Sequence, residues 1–440
     1  MLLELLERQV ENLKKVGVAF SGGVDSFTVA YLCSRHAETT LYTVGFPDSH
    51  DVKAAGELAR VLELEWVPIL LDREKLEEAV LEVLDFLEPG PRLPVEVCFE
   101  IPLYLVAKNS RERVVVAGQG SDELLLGYHR YRNGISAEEQ NRLLKELEKT
   151  VERERAMFAR FGKELVLPFT DPEVVEFCLS LPPGERADKK ILRSELSRIF
   201  PAAASRKKKA AQYGSGVVKE LRKISGGRLS EYVRERLLIS RLLREISGPV
   251  RKADPFRVLV SCVISQRSRE ERTEEACRRL FSRAKTPEEI VELGPERVSE
   301  LIKPAGLYRE KAARIVELCK RISSGIPDTR EGLVGLPGVG PKTADVVLCY
   351  GFGKPVVAVD THVNRISKRL GLVPPDASRE TVKRVLEEKI PPKFRKYVNQ
   401  GLVRFGREVC RPVRPRCGVC SLSDLCPKVY IGSRKNNNGC

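Results

Sequence analysis

The sequence predicts two domains, an α/β domain built on a doubly wound parallel sheet and, after it, an all-α domain. A chain of 440 residues exceeds the length that one typical hydrophobic core serves. In the first half, short apolar runs alternate with segments of helical period, which is typical of a parallel sheet with helical crossovers. After about residue 225, helical periods continue without strand signals. We expect domains at 1–225 and 226–440, divided at the ISGGR segment of Ile224–Arg228.

Four short segments have the composition of strands. Each is rich in β-branched or other apolar residues, and helical patterns such as DVKAAGELARVLEL separate them. The predicted strands are KVGVAF (Lys15–Phe20), ETTLYTVGF (Glu38–Phe46), EWVPIL (Glu65–Leu70) and RVVVAG (Arg113–Gly118). The helical crossovers predict that these strands are parallel.

A glycine- and serine-rich turn, SGGVDS, follows the first predicted strand and precedes a helical segment. Backbone amides and hydroxyl groups at such a turn cradle phosphate groups. Ser21, Gly22, Gly23 and Ser26 would supply those groups, and Asp25 is placed to hold Mg²⁺. The turn therefore predicts a nucleotide phosphate site in the first domain.

The chain carries an excess of positive charge. Its 76 Lys and Arg against 61 Asp and Glu give a formal net charge of +15 and a pI near 9.3, which favours a polyanionic partner. No run of eighteen apolar residues is present in the sequence, so we expect no membrane-spanning helix. Acidic residues within MLLELLERQVENLKK predict an amphipathic helix at the N-terminus and not a signal peptide. We expect a cytoplasmic, nucleoid-associated protein.

The segment LPGVGPKTADVVL (Leu336–Leu348) predicts two helices joined by a glycine hairpin. Gly338 and Gly340 lack the side chains that would keep a phosphate from the backbone, so the free amides form an anion seat. Pro341 suits the first position of the second helix. Lys342 then lies where the helix dipole disfavours an ammonium, which makes it a candidate reactive amine. A surface lysine beside a packing hairpin is the alternative.

Asp360 follows Lys342 by eighteen residues, in VVAVDTHVNRISKRLGL. Its place before a helical period predicts an N-cap. A carboxylate beside a neutral amine has a second use, because it relays protons as the amine attacks a sugar carbon and stabilises the positive charge that develops there. The two residues therefore form a candidate catalytic pair.

Four of the twelve cysteines cluster near the C-terminus, in CRPVRPRCGVCSLSDLC. They predict a tetrahedral metal centre formed by Cys410, Cys417, Cys420 and Cys426. Zinc sites usually show two tight pairs or added histidine, whereas one tight pair is present here, so an iron–sulfur cluster fits at least as well as zinc. The cations within the same loop are typical of contacts with a nucleic-acid backbone, and they are Arg411, Arg414 and Arg416.

From about Arg228 to Pro427 the chain resembles the endonuclease III family of helix-hairpin-helix DNA glycosylases and abasic-site lyases. The segments that carry the resemblance are DPFRVLVSCVISQ, GLYREKAARI, LPGVGPKTADVVL, VDTHV and the spacing C-x₆-C-x₂-C-x₅-C. It implies removal of oxidised pyrimidines from double-stranded DNA and cleavage of abasic sites by β-elimination. It also implies that Lys342 forms a Schiff base at C1′ with help from Asp360, and that the four cysteines hold a [4Fe–4S] cluster. The damaged base would be flipped from the stack into a pocket between two helical subdomains.

Two details refine this resemblance. Relatives that excise mispaired thymine or adenine lack the lysine, so Lys342 favours the lyase-competent branch. The strand-wedging glutamine of the family falls near Gln266, but the local sequence ISQRSREER departs from the common pattern. Either Gln266 or Arg267 would fill the gap that the flipped base leaves.

From about Lys15 to Glu220 the chain resembles the N-type ATP pyrophosphatases, and among them the synthetase domain of asparagine synthase. The segments that carry the resemblance are SGGVDS, GQGSDELLLGYHRY, VLPFTDPEVVEFCLSLP, KKILR and SRKKKAAQYGSGV. It implies ATP and Mg²⁺ as ligands, with the SGGVDS turn on the pyrophosphate. The further residues it implicates are Gly118 near the nucleotide, Asp122 joining Asp25 at Mg²⁺, and Lys189 on the phosphates.

Two features of this half limit what the resemblance implies. Asparagine synthases have a glutamate where this chain has Gln119, and an amide exchanges no protons, so we expect no asparagine formation. ATP-dependent adenylation of another acid or carbonyl, and nucleotide binding without turnover, stay open. The basic run Arg206–Lys209 either closes over ATP or is a solvated charged segment. The sequence begins almost directly at the synthetase-like segment, so we expect no glutamine-hydrolysing domain.

These features lead to one main hypothesis and two rivals. The main hypothesis is a bifunctional glycosylase and lyase with an attached ATP-binding domain. In the first rival, Lys342 grips a phosphate while a water attacks, which makes a monofunctional glycosylase. In the second, an ATP-dependent ligase is the primary activity and the helical half delivers it to nucleic acid.

Overall fold

The computed structural model describes residues 1–87, 89–131, 135–206, 211–250 and 253–429. The chain divides into two compact units, Met1–Leu237 and Leu238–Cys440. The division falls inside the helix Leu229–Ile246. The functional domain limits 1–225 and 226–440 stay a prediction.

A five-stranded parallel sheet forms the centre of the N-terminal unit. Its strands are β1 Lys15–Ala19, β2 Glu38–Gly45, β3 Glu65–Leu70, β4 Val114–Val116 and β5 Glu164–Val166. The order across the sheet is β3-β2-β1-β4-β5, and every neighbouring pair is parallel. The predicted α/β class and the four predicted strands are confirmed. The sequence does not predict β5, because its three residues include the charged Glu164, whereas the three residues of β4 are all valine.

The order of the strands reverses beside β1. From β1 the chain runs outward to β2 and β3, then returns to the other side of β1 with β4 and β5. Ligands of open α/β sheets bind outside the carboxyl ends of the strands at such a switch point. The SGGVDS turn follows β1 and the GQGSDE segment follows β4, so the topology brings the two predicted nucleotide segments to one edge of the sheet.

Helices connect and cover the strands, and their apolar faces join β1 in the core. Four of them begin at a polar cap, as at Asp72 and Ser136, whose side chains accept hydrogen bonds from the first turn. The helices are α1 Leu2–Arg8, α2 Val24–Ser34, α3 His50–Leu62, α4 Arg73–Val83, α5 Leu93–Asn109, α6 Ser121–Leu124, α7 Ala137–Ala159, α8 Pro172–Ser180, α9 Pro183–Arg186, α10 Lys190–Ser197, α11 Pro201–Ala204, α12 Ala211–Gly214, α13 Val217–Ile224 and α14 Leu229–Ile246.

The C-terminal unit is helical, as the sequence predicts, and its described residues, 238–250 and 253–429, contain no strand. Its main core gathers apolar residues from α15 to α20. The helices are α15 Pro255–Ser265, α16 Glu270–Phe281, α17 Pro287–Leu301, α18 Tyr308–Ile322, α19 Arg330–Val334, α20 Pro341–Val346, α21 Thr361–Arg369, α22 Arg379–Lys389 and α23 Pro392–Glu408. None of the helices in the described ranges is both long and apolar enough to cross a membrane.

The predicted glycine hairpin joins α19 to α20. Gly338 has a φ of +76°, a left-handed conformation that a side chain would strain, and Gly340 is the N-cap of α20. After Val346 the helix widens into a single π turn, Val347–Gly351. The π turn interrupts the regular hydrogen bonding one turn beyond Lys342, a feature that is frequent at functional sites.

Candidate functional site

Lys342 lies on the first turn of α20, directly after Pro341, and its side chain is exposed. In the described part of the chain, its amine makes no hydrogen bond and no ion pair. The amine lies near Cys262 of α15. Burial raises the pKa of the Cys262 thiol to about 11, and the charge of Lys342 opposes that rise. An exposed amine without a carboxylate partner is accessible to a substrate.

Asp360 is the N-cap of α21, as the sequence predicts, and its Oδ1 accepts a hydrogen bond from the Val363 amide at 2.8 Å. The charge of this carboxylate also affects the pKa of Tyr350, which lies in the π turn that continues the Lys342 helix. Burial raises the pKa of Tyr350, and the negative charge of Asp360 adds to the rise. Asp360 and the Lys342 helix are therefore electrostatically close.

A small apolar cluster lies between these elements, and we call it the Tyr350 cluster. It consists of Val346, Cys349, Tyr350 and Ala358, with Cys262 packed against it. The charge of Lys342 affects the pKa of Cys262, and the charge of Asp360 affects the pKa of Tyr350. Both predicted catalytic residues therefore lie near this cluster.

The glycine hairpin is held by side chains from two other helices. Gln266 donates from Nε2 to the carbonyl of Gly338 at 2.9 Å, and its Oε1 accepts from Arg314 Nη1 at 3.3 Å. A Cβ at Gly338 would lie 2.2 Å from Arg314 Cδ, so packing adds to the backbone requirement for glycine there. A Cβ at Gly340 would meet no atom within 4 Å. The backbone at Gly340 is therefore open to a ligand.

Two turns beside the hairpin present exposed side chains on left-handed backbone. Arg267 has a φ of +51°, and Leu307 has a φ of +56° with its surface 48% exposed. The Gly306 amide donates to Ser268 Oγ at 3.1 Å, which joins the two turns. The sequence analysis did not identify Leu307, although a leucine just before the helix of GLYREKAARI is a visible signal. Non-glycine residues in this backbone region concentrate at functional sites.

The four predicted cysteine ligands line one pocket, which is partly open to solvent. In the described residues, no three metal-ligating side chains are arranged to hold one metal ion. The pocket therefore brings the four thiols to one place, and the identity of the group that they would hold stays a prediction.

Arg369 of α21 fastens the cysteine loop. Its guanidinium donates to the carbonyls of Arg411 at 2.6 Å and Pro412 at 2.8 Å, and it lies 3.5 Å from Cys410 Sγ. Arg414, with a φ of +51°, and Arg416 are exposed, so both are available to a phosphate backbone. Arg411 is partly buried, and its Nε donates to the carbonyl of Arg407.

The predicted phosphate turn has a closed set of internal hydrogen bonds. Ser26 Oγ accepts from the Ser21 amide at 3.2 Å and donates to the Gly23 carbonyl at 3.1 Å, and the two seryl oxygens are 3.3 Å apart. Gly22 has a φ of +72°, and a Cβ there would lie 3.1 Å from Ala54 Cβ. Gly23 is the N-cap of α2. The turn is therefore shaped before any ligand binds.

The structure brings Asp25, Asp122 and Lys189 together at the switch point. Lys189 Nζ lies 2.6 Å from Asp25 Oδ2 and 2.5 Å from Asp122 Oδ1, and Lys189 is buried. Ser121 Oγ donates to Asp25 Oδ1 at 2.5 Å. A Cβ at Gly118 would lie 3.0 Å from Asp25 Cβ, which explains the glycine after β4. The two carboxylates converge on one point, and Mg²⁺ is commonly bound by one or two carboxylates together with substrate phosphates.

A further acid lies behind this site, and the sequence analysis did not identify it. Glu154 of α7 is buried, and its carboxyl group is hydrogen bonded to the side chain of Gln119. Burial, together with the nearby carboxyl of Glu100, raises the pKa of Glu154 well above its usual range. The signal was present in the sequence, because Glu154 continues the apolar face of α7 that includes Leu147 and Val151.

Within the basic run Arg206–Lys209, Arg206 donates to Glu57 Oε2 at 3.1 Å. Lys207, Lys208 and Lys209 lie outside the described residues. The two interpretations of this run stay predictions.

Two family models match the chain. The model of the HhH-GPD superfamily base excision DNA repair proteins matches residues 260–392, and the asparagine synthase model matches residues 1–155 and 140–285. The endonuclease III of Thermotoga maritima is 45% identical over 202 residues, which are 43% of this chain and 92% of that protein. The endonuclease III of Bacillus subtilis is 37% identical over 191 residues, 42% of this chain and 86% of that protein.

Among solved structures, a trapped endonuclease III–DNA covalent intermediate in an estranged-adenine complex aligns at 32% identity with a TM-score of 0.42, covering 45% of this chain and 96% of that one. The sequence matches, which span nearly the whole length of their relatives, are the stronger finding. The chain therefore belongs to the endonuclease III family of HhH-GPD base-excision DNA repair proteins, and it carries an asparagine synthase domain in its N-terminal half.

Proposed function

We propose that the C-terminal unit is a bifunctional DNA glycosylase that removes oxidised pyrimidines and cleaves the resulting abasic site. The observation that carries this proposal is the exposed amine of Lys342 on the first turn of α20, which has no ion-pair partner among the described residues and lies beside a hairpin whose backbone is open at Gly340. An amine in this position reaches a sugar carbon once the hairpin amides hold a neighbouring phosphate.

The proposed reaction proceeds in two steps. The neutral Nζ of Lys342 attacks C1′, the bond from C1′ to the base breaks, and the base leaves with the bonding electron pair and takes a proton from water. Asp360 accepts a proton from the new ammonium and returns it to the sugar oxygen as the ring opens to an imine. Loss of a C2′ proton then expels the 3′ phosphate by β-elimination, and water releases the lysine from the imine.

The same face supplies the DNA contacts of the proposal. The amides of the hairpin at Gly338 and Gly340 hold a phosphate, and the arginines of the cysteine loop hold the backbone further along. Gln266 is already bonded to the hairpin and to Arg314, whereas Arg267 is exposed. We therefore assign Arg267 to the gap left by the flipped base, with Leu307 on the opposite turn.

We propose that Cys410, Cys417, Cys420 and Cys426 hold a [4Fe–4S] cluster, because all four line one pocket and the endonuclease III relatives are similar over this part of the chain. When bound, the cluster would fix the fold of the loop that presents Arg414 and Arg416. Absorption near 400 nm separates iron–sulfur from colourless zinc. Damaged double-stranded DNA as the substrate places this activity at the nucleoid, in the cytoplasm.

A second candidate function concerns the N-terminal unit, and the convergence of Asp25 and Asp122 on Lys189 favours it. We propose that this unit binds ATP with Mg²⁺, the pyrophosphate lying on the Ser21–Ser26 turn. In the alternative to the main proposal, ATP-dependent adenylation is the primary activity and the helical unit binds nucleic acid for it. ATP-dependent release of pyrophosphate with an acid or carbonyl acceptor would support that alternative. Unchanged ATP binding after Asp25→Ala and Asp122→Ala would contradict a nucleotide site at the switch point.

Borohydride trapping on a duplex with one abasic site tests the main proposal, with and without ATP. The wild-type chain is expected to form a covalent adduct, and Lys342→Gln is expected to form none while still binding the duplex. Lys320→Gln, which changes an exposed lysine of α18 in the same unit, is the matched control and should trap as wild type does. Base removal without any adduct would support a water nucleophile and overturn the lyase proposal.

A further inference from the structure

A chain of buried and partly buried charged side chains starts on the helix that carries Lys342. Asp345 lies one turn after Lys342 on α20 and is 2% exposed. Its Oδ1 accepts from Arg330 Nε of α19 and from Lys383 Nζ of α22, each at 3.1 Å. The Asp345 carboxylate therefore links α19 and α20, the two helices that flank the glycine hairpin, and it links both of them to α22.

The chain continues through α22 to the segment that leads into Asp360. Lys383 Nζ also donates to Glu387 Oε1 at 2.7 Å, and the same oxygen accepts from the Val357 amide at 2.8 Å. Val357 lies three residues before Asp360. Side-chain contacts therefore run without a gap from α20 to the backbone that precedes Asp360.

Helix α23 holds the same segment from another direction. Arg395 Nη1 donates to the Pro355 carbonyl at 3.1 Å, and Asn399 Nδ2 donates to the Ala358 carbonyl at 2.9 Å. Together with Glu387, these residues fix three backbone groups between 355 and 358. The segment has no regular secondary structure, so these side chains replace the hydrogen bonds that a helix or strand would provide.

Burying these charged groups costs desolvation free energy. A gain in the stability of the fold does not by itself account for their presence. Desolvation opposes ionisation of Asp345, and it raises the pKa of that carboxyl despite the neighbouring Lys383 and Arg330. Buried ion pairs often add little net stability compared with apolar residues of the same volume. They do impose geometry, because each partner loses much free energy when its contact breaks.

We propose that Asp345, Lys383 and Glu387 are positioning residues that set the separation between the Lys342 amine and the Asp360 carboxylate. They act by joining α20 to the backbone before Asp360 through α22. This inference rests on the proposed lyase function and deepens it. A displacement of about 1 Å between reacting groups costs up to about 100-fold in rate.

Three variants of α22 in the full chain test the inference. Glu387→Ala removes the acceptor of the Val357 amide and a partner of Lys383, whereas Glu387→Gln keeps an acceptor oxygen. Glu388→Ala is the matched control, because Glu388 is the neighbouring, exposed residue and pairs only loosely with Arg384, at 3.9 Å. The measurements are the single-turnover rate of borohydride trapping, the dissociation constant for a duplex with a tetrahydrofuran abasic analogue, and the melting temperature.

Glu387→Ala is expected to trap about 30-fold more slowly, with a dissociation constant within about threefold of wild type. Glu387→Gln should recover the rate to within about fivefold, and Glu388→Ala should match wild type. If Glu387→Ala does not fold, the double variant Asp345→Asn/Lys383→Gln tests the same link without leaving a buried charge unpaired. It should melt near wild type and still trap slowly.

The outcomes separate this inference from the proposed function. A wild-type chain that forms no adduct contradicts the proposed function itself. A wild-type chain that traps, with Glu387→Ala or the double variant trapping at the same rate, overturns the positioning role. Parallel losses of rate, DNA affinity and melting temperature also overturn it, because they indicate general destabilisation.

Discussion

Each unit of this chain has a lysine for which we propose a role beside a glycine-containing turn, and the two lysines have opposite surroundings. Lys189 is 4% exposed and lies between the carboxylates of Asp25 and Asp122. Lys342 is exposed and has no ion-pair partner in the described part of the chain. The residue type is the same, but one amine is a fixed counter-charge and the other is accessible to a substrate.

The neighbours of an amine decide which chemistry it can perform. The carboxylates of Asp25 and Asp122 hold the Lys189 amine, so it serves as a counter-charge and is not free to attack carbon. An accessible amine without such partners can act as a nucleophile. The contrast supports the proposals of covalent chemistry in the C-terminal unit and of electrostatic binding in the N-terminal unit.

The largest expected effect comes from Lys342→Arg. The guanidinium keeps the positive charge but cannot form an imine, so trapping on abasic DNA should fall at least about 1,000-fold, while duplex affinity stays within about threefold. Trapping rates and a binding titration measure the two effects. Retained activity would show that Lys342 acts as a charge, as Lys189 does, and the contrast between the two lysines would disappear.

Lys189→Met should instead change stability. It leaves Asp25 and Asp122 close together without their cation, and breaking a buried pair costs about 3 kcal/mol. Trp66 is the single tryptophan of the sequence and lies on β3, so its fluorescence reports urea unfolding of the N-terminal unit within the full chain. Lys190→Met, at the exposed neighbouring position, is the control and should unfold as wild type does. Equal unfolding of both variants would contradict the counter-charge role of Lys189.

Asp360→Asn separates capping from proton transfer. Asparagine caps helices about as well as aspartate, so the melting temperature should stay near wild type. An amide accepts no proton, so the trapping rate should fall about 100-fold. Asp254→Asn makes the same change at the N-cap of α15, where Oδ1 accepts from the Arg257 amide at 3.1 Å. The Asp254→Asn control should lose neither trapping rate nor stability. An equal loss in both variants would mean that Asp360 acts only as a helix cap.

The sequence predicted local elements well, because their signals lie within a few residues. The apolar run of β1 and the glycine hairpin before Lys342 both appear where their patterns predict. Leu307 and Glu154 were missed for one shared reason. Leu307 stands out only beside the Arg267 turn, and Glu154 only against Gln119, and neither juxtaposition is visible along the chain. The bond from Glu387 to the Val357 amide spans thirty residues and likewise depends on tertiary packing.

Glu154→Gln tests whether the N-terminal unit contains a second unusual titrating group. The folded state holds a proton on Glu154 that the unfolded chain releases above its ordinary pKa, near 4.3. Wild-type stability should therefore fall as pH rises above that value, by up to about 1.4 kcal/mol per pH unit until the folded pKa is reached. Glutamine has no such loss, so the variant should equal wild type at pH 4 and exceed it at pH 8.

Urea unfolding of the full chain at the two pH values, followed by Trp66 fluorescence, measures this difference. Glu152→Gln, at an exposed position of the same helix, should show no pH-dependent gain. A pH-independent effect of Glu154→Gln would mean that Glu154 is not held protonated beside Gln119.

The smallest expected effect concerns the glycines of the hairpin, and it tests whether the anion seat exists. Gly340 has a φ of −93° and open space around its Cβ position, so Gly340→Ala should leave the melting temperature unchanged. If a phosphate approaches this backbone, the added methyl group should weaken duplex binding about fivefold, which is about 1 kcal/mol. Gly338→Ala must adopt a left-handed φ, so it should cost about 1–2 kcal/mol of stability as well. Unchanged duplex binding by Gly340→Ala would mean that the hairpin serves packing and does not hold a phosphate. Lys342 would then differ from Lys189 in its accessibility alone.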